Sequence, residues 1–474
     1  MVMNLIGREN EKAILSQCLS SGKAEFVVVY GRRRVGKTFL IKSFFKEKFA
    51  FYGSGVLGGK RKDKLVAFHQ SLRQYGDSDP KAPKNWFEAF SRVQDILESS
   101  VAYRERKSGK RVVFLDETPW MDGARSDFKP ALDFFWNTYA STKEDIVLIV
   151  CGSATSWIVK NILKSEGGFY NRLTHRVHLK PFSLSECKTL AKSLGMDYSP
   201  KQLIDAYMVF GGIPHYWSLF NPSKSVAQNI DSLCFDESGE LSHEYTSLFK
   251  SLFSAKGKHR AIIEVMAAVR KGMTRQELAK AKKIGGGEPL TVALEELEEC
   301  GFIRRYTAYS KKKYDAIYQL IDPFVRFATT FLLKRSEQSW MEYIGTSSYH
   351  SWSGLCFELV VLNNIESLKK VAGFSDVATK EYAWKSKTSK PGAQIDLILD
   401  RKDGITFVLE AKYVSGEFEF DAAEEKNMAR KIEVFRKETK TVNTLRAMYV
   451  TLNGLKKSPK TELAISSILA TDLM

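Results

Sequence analysis

Apolar residues follow three different rhythms along this chain. Near the start the run Phe26-Val27-Val28-Val29-Tyr30 is continuous, as in a strand buried on both faces, and apolar positions from Phe39 to Phe45 follow as a helix. Val112-Val113-Phe114-Leu115 and Ile146 to Cys151 repeat the strand pattern, which predicts a doubly wound sheet. From His259 the rhythm turns helical. Ile262, Ile263, Val265, Met266 and Val269 predict a helix to Arg270, and the capping box Thr274-Arg275-Gln276-Glu277 opens a second over Glu277 to Lys283. After Gly285-Gly286-Gly287, Leu290, Leu294 and Leu297 repeat at i, i+4, i+7 until Gly301 stops the third helix. Phe302 to Tyr306 and Tyr314 to Leu320 then read as a hairpin around Ser310 to Lys313. The last stretch predicts a helix from Trp352, alternating strands over Gly392 to Asp400 and Ile405 to Lys412 joined by an Asp403-Gly404 turn, and a helix over Asp421 to Thr439.

Composition narrows this picture little. At 474 residues, 44% hydrophobic and 27% charged, the chain has room for about three domains and is neither collagenous, low-complexity nor wholly disordered. Six cysteines without a CxxC spacing read as scattered core thiols of a reducing compartment. The opening turns polar too early for a signal peptide, and no run of about 18 apolar residues occurs, so the expectation is a cytoplasmic protein with no membrane partner.

The net charge of +17 is more informative when divided. Residues 1–255 carry +9, residues 256–335 carry +8 and residues 336–474 carry none. Almost half of the excess therefore lies in 80 residues. The third helix of that stretch, Glu288 to Cys300, holds Glu288, Glu295, Glu296, Glu298 and Glu299 and no cation. Five carboxylates facing a phosphate-lined groove would be repelled, which argues against base reading by this helix. The cations lie on Lys280, Lys282, Lys283, Arg304, Arg305 and the Lys311, Lys312, Lys313 tip, where they either grip a DNA backbone or are the solvated charges of a hinge or oligomer-contact domain.

Four clusters carry candidate chemistry. Gly31, Gly36, Lys37 and Thr38 in GRRRVGKT stand between a strand and a helix, the context in which backbone N–H groups cradle the phosphates of ATP. Lys37 would neutralise the β and γ phosphates, and Thr38 would hold Mg²⁺. Asp116 and Glu117 close the second strand, the first to hold Mg²⁺ and the second to orient or deprotonate the attacking water. At the end of the third strand, Ser153 or Thr155 could sense the γ-phosphate, and Arg172 and Arg176 are arginine-finger candidates. Gly53-Ser54-Gly55-Val56-Leu57-Gly58 satisfies a dinucleotide-loop pattern but opens no helix, and reads as a loop. In the last stretch Glu410 and Lys412 share a strand face with Asp396 on the paired strand. An Asp, a Glu and a Lys so placed suit metal-assisted phosphodiester hydrolysis.

Ile6-Gly7-Arg8-Glu9-x-Glu11, GRRRVGKT, FLDE, CGSATS and Gly211-Gly212-Ile213-Pro214 occur in the order of the archaeal-type P-loop ATPases of the STAND/AAA+ group, which residues 4–255 resemble. That resemblance implies Gly212 and Pro214 near the nucleotide base in a helical lid, and favours Arg172, after Tyr170-Asn171, as the finger. A finger acting in trans would need a homo-oligomer. Residues from about 350 onward resemble the PD-(D/E)XK nuclease fold, through Asp396, Glu410-Ala411-Lys412 and the extra acid Glu358, with Ile395 where many members have proline. The expected architecture is α/β. It comprises a P-loop core (1–182), a helical lid (183–255), a winged helix (256–335) and an α/β restriction-endonuclease-like domain (336–474). The expected activity is ATP hydrolysis controlling cleavage of DNA, or a signalling switch with a protein partner on an inert nuclease fold, or a DNA-stimulated remodelling ATPase.

Overall fold

The computed structural model describes residues 5–123, 125–153, 155–163, 171–253, 257–269, 272–307, 309, 316–333, 338–386, 392–459 and 461–474, without the side chains of Thr155, Ser156 and Asp396. These form two compact units, 1–180 and 181–474.

In the first unit the continuous apolar runs become strands β1 (Glu25–Tyr30), β2 (Phe51–Ser54), β3 (Arg111–Asp116), β4 (Ile146–Gly152) and β5 (His175–His178). They pair in parallel in the order β2-β3-β4-β1-β5, so β4 is inserted between the two strands that carry the phosphate loop and the acids. The runs are continuous because both faces are covered. Phe26, Val28, Val113, Leu115, Leu148 and Val150 face one core with the helices Trp86–Glu98 and Phe128–Thr138. Each large side chain fully buried there stabilises the unit by roughly 1.5–3 kcal/mol. Because all five strands run the same way, β1, β3 and β4 deliver Gly31, Asp116 and Ser153 at one end of the sheet.

The second unit opens with the helices Leu184–Ser193 and Pro200–Phe210, each started by a capping box at Ser183 and Ser199. After the helices Pro214–Ser218, Val226–Ile230 and Glu244–Leu252 come the helix His259–Ala267, β6 (Met273–Thr274), the helices Arg275–Lys280 and Glu288–Glu299, β7 (Ile303–Thr307) and β8 (Ala316–Leu320), with an antiparallel sheet in the order β6-β8-β7. The helix expected to reach Lys283 stops at Lys280, and Lys283 itself takes a left-handed φ of 72° that a helix does not admit.

The helices Ser347–Asn363 and Ile365–Val371 then lead into β9 (Thr379–Lys385), β10 (Gln394–Arg401), β11 (Ile405–Lys412), β12 (Phe418–Phe420), β13 (Thr444–Thr451), β14 (Leu455–Lys457) and β15 (Ile465–Leu469). The main sheet runs β15-β13-β11-β10-β9, antiparallel through β9, β10 and β11, then parallel across the helix Ala422–Thr439 to β13. The small β12 and β14 pair with each other.

The three stretches expected as separate domains after residue 182 form one compact unit. Tyr413 Oη donates to Asp205 Oδ1 at 2.6 Å, Leu184 N to Asn364 Oδ1 at 2.7 Å, and the Tyr309 ring lies 4.9 Å from that of Phe435. These contacts link residues far apart in the chain, which composition breaks do not register. Among the described residues no helix is long and apolar enough to cross a membrane.

Candidate functional site

The phosphate loop is built around backbone conformations that side chains resist. Gly31 has φ 144° and Gly36 φ 92°, and Arg34 between them also lies in the left-handed region at 71°. A Cβ on Gly31 would sit 2.3 Å from the Leu179 carbonyl oxygen, so only glycine lets the end of β5 pass this close. Arg8, left-handed at the start of the helix Glu9–Ser20, is buried and donates to the carbonyls of Val35 in the loop (3.1 Å) and of Lys180 after β5 (2.8 Å). Arg8 was visible in the sequence only as part of a family signature; its grip on the loop requires a contact across 27 residues.

Inside the loop, Lys37 is 5% exposed and donates to the Gly31 and Arg32 carbonyls at 3.0 and 2.9 Å. Thr38 Oγ1 donates to Asp116 at 2.9 Å, so the hydroxyl and carboxylate assigned to Mg²⁺ already touch. Two oxygens so placed are the donor set a hard dication prefers. Glu117 takes φ 45°, ψ 41°, and Ser153 Oγ donates to its two carboxylate oxygens at 2.9 and 2.8 Å.

Two further glycines make the Glu117 turn fit. A Cβ on Gly55 would meet the Glu117 carbonyl oxygen at 2.3 Å, and one on Gly152 would meet the Pro119 ring at 2.4 Å. The Gly53 to Gly58 segment thus takes no phosphate-loop role: Gly53 and Ser54 belong to β2, and Gly55 is a spacer under the Glu117 turn. Cys151, wholly buried beside Asp116, has its thiol pushed well above the ordinary range by burial and then by the Asp116 charge.

The remaining assignments stand on other elements. Arg172 pairs with Asp133 on the helix Phe128–Thr138. Gly212 and Pro214 lie in the second unit, where a Cβ on Gly212 would stand 1.8 Å from the Phe182 carbonyl oxygen and Pro214 opens the helix Pro214–Ser218. Tyr170 and the tip Lys311, Lys312 and Lys313 lie outside the described residues, as does the side chain of Thr155.

In the second unit Glu410 and Lys412 share a face of β11, and the ladder pair Leu397↔Leu409 leaves Asp396, whose side chain is not described, next in line to Glu410. Glu410 pairs with Lys431, while Lys412 Nζ reaches Glu424 at 3.0 Å and Glu410 at 3.8 Å. Tyr449 Oη donates to Glu424 at 2.9 Å, and burial followed by that carboxylate pushes its phenol up. Lys431, Glu424 and Tyr449 escaped the sequence reading; on the helix Ala422–Thr439 and on β13 they stand on elements without a motif. Glu358 lines one cleft with Glu410, Arg304 and Gln319.

The acidic helix Glu288–Glu299 uses part of its charge internally, correcting the picture of five outward carboxylates. Glu296 meets the buried His259 at 2.7 Å and Glu298 meets Arg305 at 3.5 Å. Arg304 donates to Gln319 at 2.8 Å and stacks on Tyr306 at 4.6 Å.

Residues 5–220 match the family model described as an ATPase domain predominantly from Archaea. The chain carries an archaeal-type ATPase domain. An uncharacterised protein of Methanocaldococcus jannaschii is 24% identical over 433 residues, which span 86% of this chain and 87% of that protein. A second from the same organism, an uncharacterised ATP-binding protein, is 40% identical over 47 residues, 10% of this chain and 80% of that one. Among solved structures, the Walker-type ATPase of Pyrococcus abyssi matches at a TM-score of 0.47 and 17% identity, covering 69% of this chain and 96% of its own. The Aeropyrum pernix ORC2 protein, solved in ADPNP–ADP complexes, matches at 0.43 and 14%, covering 70% and 95%.

Proposed function

We propose that the ATPase domain hydrolyses ATP and that its nucleotide state controls a second unit that cleaves DNA with a divalent metal. The observation that carries the first half is the pair of contacts Thr38–Asp116 and Ser153–Glu117. Lys37 sheds its two loop carbonyls for the β and γ phosphates, and loop N–H groups hold the remaining oxygens. Thr38 and Asp116 would hold Mg²⁺, which supplies charge against the transferring phosphoryl group. Glu117 accepts the proton of the attacking water, and Ser153 fixes the direction in which its carboxylate points. Ser153 thereby serves the γ-phosphate side of the site through Glu117. Arg172, released from Asp133, is the candidate finger, and in trans it would require a homo-oligomer.

For the second half, the order of helix, β6, two helices and the β7–β8 hairpin supports a winged helix, with Arg304 and Arg305 as DNA-backbone contacts. The order of helix, β9, β10, β11, helix and β13 supports the PD-(D/E)XK reading, because it brings Asp396 and Glu410 to neighbouring strands above Lys412. Asp396, Glu410 and Glu358 would hold the metal that lowers the pKa of the attacking water.

A second reading, a signalling switch on an inert nuclease fold, is favoured by the ion pairs that occupy Glu410 and Lys412. Measuring ATP hydrolysis and plasmid cleavage with Mg²⁺ or Mn²⁺ for wild type, Lys37→Ala and Asp396→Ala separates them. Cleavage lost in Asp396→Ala and altered in Lys37→Ala supports the first reading. Cleavage absent from wild type, or equal in Asp396→Ala, overturns it in favour of the switch.

A further inference from the structure

At the end of the sheet remote from the phosphate loop, three side chains of different chemistry meet. Cys18 comes from the last turns of the helix Glu9–Ser20, Glu25 opens β1 and His175 opens β5. One ligand atom from each, thiol sulfur, carboxylate oxygen and imidazole nitrogen, lies within 4.8 Å of the other two.

Strand geometry explains the convergence. β1 and β5 are parallel with Val27 opposite His175, so Glu25, two residues before Val27, shares a sheet face with His175. It is the face away from the Phe26 and Val28 core, and Cys18 reaches it from the covering helix.

The carboxylate is the anomaly. Glu25 is 1% exposed, and among the described residues its Oε2 accepts no hydrogen bond; His175 Nε2 stands at 3.6 Å, beyond that reach. A buried carboxylate oxygen without a donor is costly unless a cation answers it. Lys110 contributes positive charge nearby, but its Nζ is fastened to the carbonyls of Lys23 (2.7 Å) and Glu144 (2.5 Å).

We propose that Cys18, Glu25 and His175 form a binding site for a borderline divalent transition ion of the zinc class. Thiolate and imidazole select such an ion over Mg²⁺ or Ca²⁺, which take oxygen donors. Binding forms a sulfur–metal bond as the Cys18 S–H bond breaks, its proton leaves for solvent, and nothing is oxidised or reduced. Water completes the tetrahedron on the side where His175 is 20% exposed.

The site is distinct from the nucleotide site, since the length of β1, about 17 Å, separates Glu25 from Tyr30 and the loop. Its effect reaches that loop through one rigid element. The helix that carries Cys18 begins at Arg8, whose guanidinium holds Val35, so an ion at Cys18 braces the anchor of the phosphate loop.

The test is Co²⁺ titration of the chelator-treated full chain, read by the thiolate-to-cobalt charge-transfer band. The expected result is a band saturating at one ion per chain, lost in Cys18→Ser and kept in Cys234→Ser. His175→Gln should weaken Co²⁺ by more than the roughly 10–100-fold carried by outer partners of metal ligands. Zn²⁺ should raise the melting temperature of wild type and not of His175→Gln. No band, a band surviving in Cys18→Ser, or unchanged affinity in His175→Gln would overturn the site. Binding of an ATP analogue checks that each variant is folded, and His175→Gln decides the matter if Cys18→Ser does not fold.

Discussion

Ser153 donates its hydroxyl hydrogen to the Glu117 carboxylate, 2.9 and 2.8 Å from its two oxygens, and Ser153 N adds a third contact at 3.2 Å. The serine therefore acts on the residue assigned to the attacking water. Removing a hydrogen bond to a charged group costs about 1.5–3 kcal/mol, which corresponds to roughly 10–100-fold in rate when the bond orients a catalytic group. Ser153→Ala should lose about that much kcat for ATP hydrolysis, and Glu117→Gln about 10²–10⁴-fold as a lost general base. Equilibrium binding of ATP should be unchanged in both, which steady-state kinetics beside a binding titration will check.

Gly31 and Gly212 offer a paired comparison. A Cβ on either would lie inside contact distance of a carbonyl oxygen, 2.3 Å from Leu179 for Gly31 and 1.8 Å from Phe182 for Gly212. Overpacking of this kind typically costs about 1–3 kcal/mol. Gly31→Ala should displace the phosphate loop and abolish nucleotide binding. Gly212→Ala should lower the melting temperature and leave nucleotide affinity intact, because its tight contact is with Phe182. Loss of affinity in Gly212→Ala without a change in melting would instead favour the base contact implied by the family resemblance.

The sequence announced whatever is local. GRRRVGKT between a strand and a helix and the acids closing an apolar run are fixed by residues within a few positions of one another, and Thr38 and Asp116 do meet. The hairpin at Asp403-Gly404 is equally local, since Gly404 takes φ 86° where the turn requires it. What escaped depends on distant pairs. Arg8 on Val35, Gly55 beneath Glu117 and Lys431 on Glu410 each join elements whose adjacency only the fold creates. The cysteines show the same limit: all six are free and buried, as core thiols should be, but no spacing marks Cys18 as the one whose neighbours Glu25 and His175 are brought to it by β1 and β5.

Cys151 makes the ATPase domain sensitive to alkali. Burial, then the Asp116 charge, raise its folded thiol well above the ordinary 9.0. Below pH 9.0 the proton is bound in both states and the full stability is present. Above it the unfolded chain loses the proton while the folded one keeps it, so stability falls by up to about 1.4 kcal/mol per pH unit from this one group. Urea unfolding followed above pH 9.0 should show a shallower decline for Cys151→Ala than for wild type. Peptide-resolved alkylation should find Cys151 far slower in the folded protein than in urea at the same pH, because the thiolate is the nucleophile.

Lys431 holds Glu410 where the nuclease reading requires a metal, and Lys412 is held by Glu424. Lys431 and Glu410 are both largely buried, with side chains 15% and 14% exposed, so a dication at Glu410 must displace an ammonium already desolvated there. Charge-assisted bonds of this kind are worth on the order of 1.5–3 kcal/mol. Lys431→Met should therefore lower the Mn²⁺ concentration needed for half-maximal plasmid cleavage by roughly tenfold or more. Lys412→Ala should behave differently. It leaves the metal ligands in place and removes the cation that faces the developing charge, so cleavage should fall while Mn²⁺ dependence stays put. If the fold is an inert scaffold, Lys431→Met still leaves Glu410 without its partner and lowers the melting temperature, but no cleavage appears at any Mn²⁺ concentration. A cleavage titration and a melting curve on the same two variants therefore distinguish a lysine that guards a metal site from one that only ties the helix Ala422–Thr439 to β11.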